Sequence, residues 1–130
     1  MTMTITGVYA AVLGILLITL RFNVIIERAK SNISILHEGN VVLAEKIRRF
    51  GNFVEVVPHA LVLLAIVEFS GAPLWVVHGI GGALLVSRVL HPFGLDAGNV
   101  RNPIRIASGL LTTIAFVIAI IYIIWSTLLV

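Results

Sequence analysis

The chain has no cysteine. Disulfides, a thiolate nucleophile and thiolate metal sites are therefore excluded, and any sulfur chemistry has to arrive with a bound molecule. Charge is scarce as well: 12% of the 130 residues are Asp, Glu, Lys or Arg and 59% are apolar, against about 25% and about 45–50% in soluble domains. That balance excludes an ordinary soluble enzyme and identifies a membrane protein. The formal charge of +3 does not point to nucleic acid, because the Lys and Arg residues lie in short clusters beside apolar segments and not on a polar surface interleaved with aromatics. The four histidines have no obvious set of ligand partners, so no metal is expected. The length leaves room for a single domain, residues 1–130, and for no soluble domain beside it.

What the chain does contain is four long apolar runs, predicted as helices over about 5–29, 41–68, 74–91 and 104–129. The fold class is an all-α membrane protein, a four-transmembrane-helix bundle. The first run lacks the basic start, short apolar core and small-residue cleavage site of a signal peptide, so it is expected to be retained. "SNISILHEGN" separates helices one and two, "SGAP" helices two and three, and "HPFGLDAGNVRNP" helices three and four; all are rich in turn formers. Pro58 falls inside helix two, where a kink is expected. Arg28, Lys30, Lys46, Arg48 and Arg49 flank the first connection, and Arg88, Arg101 and Arg105 the third. The positive-inside rule makes these two connections cytoplasmic and puts both termini on the opposite side. Trp75 and Trp125, near the predicted outer face, fit an aromatic belt, and Glu68 reads as interfacial. Small residues at four-residue spacing, Gly79, Ala83 and Ser87 in helix three and Ala115 and Ala119 in helix four, predict close helix packing.

Helix two carries the chemistry. With Arg48 at zero and 100° per residue, Asn52 falls at about 40°, Glu55 at about −20°, His59 at about 20° and Glu45 at about 60°. Ionisable groups in a membrane segment cost roughly 2.5–3.5 kcal/mol each at the helix centre, so this face must meet protein or water. In one reading Arg48 and Glu55 pair with each other or with neighbouring helices and Asn52 bridges helices, which fixes packing. In the other the stripe binds a small zwitterion: arginine holds a carboxylate, Glu55 an ammonium, and Asn52 donates to and accepts from a peptide group. His59 and His78 read as neutral histidines hydrogen-bonded between helices.

The pattern R-x3-N-x2-E-x2-P, filled by Arg48, Asn52, Glu55 and Pro58, resembles the signature of the MAPEG family, the membrane-associated proteins of eicosanoid and glutathione metabolism. "SRVLHPFGLDAGNVRNPIRIASG" is similar to that family's third-helix end and following loop, and the resemblance covers essentially the whole chain. It is closest in kind to the small bacterial members, which implies a bacterial inner membrane location. The resemblance implies a homotrimer that binds glutathione as co-substrate between subunits near the cytoplasmic face. By position Arg48, Asn52 and Glu55 match glutathione-holding residues, Arg28 a basic residue ending helix one, and Arg105 the arginine that activates the thiol; Arg101 lies one turn earlier. Arg88 and His91, three residues apart, are further candidate contacts, although snorkelling to the interface also accounts for Arg88. Where better-studied members carry tyrosines, this chain has Val56, His91 and Leu95.

The implied activity is a glutathione transferase or peroxidase in which the thiolate, favoured by a guanidinium, attacks a lipophilic electrophile or reduces a hydroperoxide dissolved in the membrane lipid. A non-catalytic binding or scaffolding protein that keeps the fold is the alternative. A small transporter or channel is a third reading, and it would line a central axis with its polar groups.

Overall fold

The computed structural model describes residues 4–128, and these form four helices: α1 (Thr4–Ser31), α2 (Val41–Phe69), α3 (Leu74–Gly94) and α4 (Pro103–Leu128). Local chemistry sets the ends. Past Ser31 the backbone of Asn32 turns left-handed (φ 54°), and Arg28 Nη1 donates to the carbonyls of Ile33 (3.3 Å) and Leu36 (3.1 Å). Asn40 caps α2, its Oδ1 accepting from the Leu43 amide at 3.0 Å, as short polar side chains do at helix starts. Gly71, at φ 76°, closes α2 in the left-handed conformation that favours glycine. Pro103 opens α4, where its missing N–H costs nothing, and Asn102 Oδ1 accepts from the Ile104 amide.

α2 runs through Pro58 as one helix, as expected; one end differs from expectation. α3 runs past His91 through Pro92 to Gly94, because the turn beyond the proline is held from outside: Arg49 of α2 donates through Nε and Nη2 to the Leu95 carbonyl at 3.2 and 2.9 Å. A Cβ on Gly94 would overlap the backbone of Arg105, so this glycine lets the start of α4 lie directly on the end of α3.

α3 and α4 pack most extensively; α1 lies against α2 and α3, and α4 also touches α2. One core cluster centres on Leu64, Val67, Val77, Ile80, Ala115 and Ala119, the other on Leu13, Leu20, Phe53, Val57, Ala60 and Leu84. Glu68 is more than interfacial. Its carboxylate accepts from the amides of Ile5 (2.9 Å) and Thr6 (2.7 Å), placing negative charge on the N-terminus of α1, where orphan amides and the helix dipole favour it.

The expected small-residue face of α3 is only partly right. Gly79 is exposed, with open space where a Cβ would stand; the close approach is at Gly81, against which the Tyr9 ring lies. Gly81→Ala is therefore expected to destabilise the bundle by about 1–3 kcal/mol, as overpacking does. Thermal unfolding in detergent checks this, and a smaller side chain at Tyr9 should relieve most of the loss. Ala115 and Ala119 are buried as expected.

All four helices are long and apolar enough to cross a membrane, and large apolar side chains such as Ile15, Phe22, Val62, Ile118 and Ile121 are exposed along them. The molecule is a multi-pass membrane protein. Trp75 and Trp125 border one apolar groove between α3 and α4.

Candidate functional site

At the end of the bundle that carries the first and third connections, α2 presents Arg48 and Glu55 on its outer face. Two parallel bonds join them, Nη1 to Oε1 at 2.9 Å and Nη2 to Oε2 at 3.1 Å. The pair spans two helical turns by crossing Gly51, whose bare Cα leaves both groups about a van der Waals contact away. Both side chains are more than half exposed, 56% and 57%. This is the mutual pairing expected in the structural reading of the stripe, yet it stands on an uncovered face.

Asn52 turns the other way. Its Oδ1 accepts from Arg88 Nη1 of α3 at 2.9 Å, while Arg88 Nη2 donates to Thr112 Oγ1 of α4 and Nε reaches Ser87 Oγ at 3.4 Å. Arg88 is 3% exposed, so it does not snorkel to the interface. Three neutral oxygens from three helices surround its guanidinium, and no carboxylate pairs with it among the described residues. Thr112 is tied to Ser87 Oγ (3.0 Å) and to the Ser108 carbonyl (2.9 Å). His91 lies one turn on, buried, in the positive field of Arg88, Arg105 and Arg48.

Arg48 and Arg105 meet at a cavity of about 250 Å³ lined also by Ala44, Glu45, Leu95, Asp96, Ala97 and Val100. Arg105 is thus the helix-four arginine on the cavity wall. Arg101 is exposed in the loop and outside that lining. Arg28 is also outside it, engaged with the first connection. The cavity rim is fixed by residues that sequence reasoning treated only as topology signals or stripe neighbours. Glu45 Oε1 accepts from the Ala97 amide at 2.8 Å, and Glu45 Oε2 accepts from Arg49, which holds Leu95. Lys46 and Glu27 join α2 to α1 at 2.6 Å. Glu45→Ala is expected to free the Ala97 amide and speed its hydrogen exchange about tenfold, the effect of losing one charged hydrogen bond; exchange mass spectrometry of the 95–102 segment reads it.

The two deeper histidines divide. His78 meets Tyr9 Oη through Nδ1 at 3.2 Å, an interhelical hydrogen bond. His59 instead stacks on Phe116 of α4, ring centroids 5.6 Å apart and 12° from parallel, so an aromatic neighbour takes the place of the expected hydrogen bond. Among the described residues no three His, Asp or Glu converge on a common point that could hold a metal ion.

The sequence profile of the MAPEG family matches residues 6–125. An inner membrane protein of Escherichia coli K12, YecN, is 34% identical over 90 residues, which is 69% of this chain and 69% of that protein. YecN of Escherichia coli O6:H1 (strain CFT073) matches to the same extent. No solved structure matches the chain.

Proposed function

Because the chain belongs to the MAPEG family, we propose that it is an inner membrane protein that holds glutathione at the Arg48–Arg105 end of the bundle, on the cytoplasmic side, and uses it as co-substrate against a lipophilic electrophile or hydroperoxide. The observation that carries this reading is the convergence of Arg48 and Arg105 on one cavity, with Glu55 beside Arg48 on the open face. Glutathione brings two carboxylates, an ammonium and a thiol. Arg48 suits a carboxylate and Glu55 the ammonium, so an entering ligand exchanges their mutual pair for two complementary ones.

Arg105 then supplies positive charge to the sulfur. A thiol of ordinary pKa about 8.5 is mostly protonated at neutral pH, and an adjacent guanidinium favours the thiolate while solvent takes the proton. The thiolate attacks the second substrate, which the bilayer concentrates.

The cavity in one chain is about 250 Å³, below the roughly 300–1,000 Å³ of typical ligand sites, and the Arg48–Glu55 face is open. Both features support a homotrimer in which a neighbouring subunit completes the wall. The test is calorimetry with native mass spectrometry on protein in detergent. Saturable glutathione binding to a trimer is expected; absence of binding overturns the proposal.

The closed Arg48–Glu55 pair favours a second reading, a binding or scaffolding protein with the same fold. Val56, His91 and Leu95 add no phenol to the site. Glutathione binding without turnover of any electrophile or hydroperoxide would select it.

A further inference from the structure

Arg88 is buried and its guanidinium has only N–H groups to offer, so whatever faces it must accept. That requirement settles how Asn52 is turned: the atom bonded to Arg88 Nη1 is the amide oxygen. In a planar carboxamide the nitrogen then points away from Arg88, on the helix that also presents Arg48 and Glu55. The oxygen accepts inside the bundle, and the nitrogen, which has no partner among the described residues and is not buried, keeps two N–H donors open.

Arg88 is itself held. Thr112 Oγ1 accepts from its Nη2 and Ser87 Oγ from its Nε, and the two hydroxyl oxygens lie 3.0 Å apart. Both hydroxyls are buried, at 7% and 0% exposure, and both are anchored to backbone carbonyls, Thr112 to Ser108 and Ser87 to Leu84. The chain of contacts runs from α4 through α3 to α2 and ends at Asn52.

We infer that Thr112, seconded by Ser87, is a positioning residue: it aims Arg88, Arg88 occupies Asn52 Oδ1, and Asn52 therefore meets the ligand as a donor that reads a carbonyl or carboxylate oxygen. This rests on the glutathione reading for the identity of the ligand, but not for the orientation of the amide. Of the two peptide-group contacts Asn52 can in principle make, it contributes the one to C=O. Thr112 touches neither ligand nor cavity and acts through Arg88.

Two measurements separate the parts. Asn52→Asp keeps the shape and the acceptor facing Arg88, and it adds a counter-charge to a guanidinium that has none among the described residues. Its melting temperature is expected at or above that of the wild type, with Asn52→Ala below both; Asn52→Asp melting below Asn52→Ala would overturn the inward aim of the oxygen. In calorimetry with glutathione, Asn52→Asp, which has lost both donors, is expected to raise Kd by about tenfold or more. Thr112→Val is expected to raise it about tenfold, the cost of one hydrogen bond in the chain, while Thr112→Ser restores wild-type affinity. Wild-type affinity in Asn52→Asp would overturn the donor role. A lowered melting temperature with unchanged Kd in Thr112→Val would overturn the positioning role and leave Thr112 a packing residue. If the wild type itself binds no glutathione, the ligand assignment falls, and the melting temperatures still decide the aim of Asn52.

Discussion

Arg48→Ala and Glu55→Gln are each expected to weaken glutathione binding by an order of magnitude or more in calorimetry. In the proposed complex the ligand and a neighbouring subunit cover these groups, and truncating one partner of a buried hydrogen-bonded charge pair costs about 2–5 kcal/mol. In the free protein these two groups satisfy each other on an exposed surface, and exposed pairs contribute only about 0–1 kcal/mol to stability. Folding should therefore be nearly unaffected, and the loss should appear in binding. The exchanged variant, Arg48→Glu with Glu55→Arg, sharpens the point. It can remake the internal pair, so a purely structural role predicts wild-type behaviour. A ligand with its carboxylate and ammonium in fixed places meets the wrong charge at both ends, so binding should remain lost.

Arg105→Ala is expected to abolish the ultraviolet absorbance of bound thiolate at neutral pH while leaving glutathione bound. A charge on the cavity wall favours the ionised sulfur, whereas in the proposed complex the carboxylate and ammonium fall to Arg48 and Glu55. Arg101→Ala should keep the signal, since Arg101 lies outside the cavity lining. Raising the pH should restore the thiolate in Arg105→Ala, because the variant lacks the charge that favours ionisation but retains the thiol. A full thiolate signal in Arg105→Ala at neutral pH would move that role to Arg48, the other arginine on the cavity wall.

Helical periodicity was enough to put Arg48 and Glu55 on one face of α2, because their relation depends on one helix alone. Asn52, only about 40° away on the wheel, turns inward, and that depends on what α3 brings to it. A single helix does not specify its neighbours. The same gap explains Arg88: a basic residue near a helix end suits snorkelling by position alone, but Thr112, Ser87 and Asn52 provide acceptors on three sides that hold it inside. A signal for Thr112 was present. Ser108, Thr112, Ala115 and Ala119, the buried residues of α4, recur at spacings of four, three and four, a stripe of small residues in a helix otherwise built of large aliphatics. Two hydroxyls in such a stripe mark an interior with polar contents. Gly81 was missed for the opposite reason: three small residues at regular spacing pointed to Gly79, while contact with Tyr9 is fixed by how α1 crosses α3.

Glu45 and Arg49 show how a neighbour of the stripe and a basic residue read only as a topology signal can together build a site. They sit at i, i+4 on α2 and bind each other, and together they hold the backbone of Leu95 and Ala97. The connection that carries Leu95 and Asp96 along the cavity is thereby fixed to the helix that carries Arg48.

The most direct measurement is a structure of the wild-type protein with glutathione bound. One ligand per subunit is expected at the Arg48–Arg105 cavity, with a carboxylate on Arg48, the ammonium at Glu55, a C=O within reach of Asn52 Nδ2, and the sulfur beside Arg105. Glutathione located away from these residues, or a saturated preparation with none bound, would contradict the proposal.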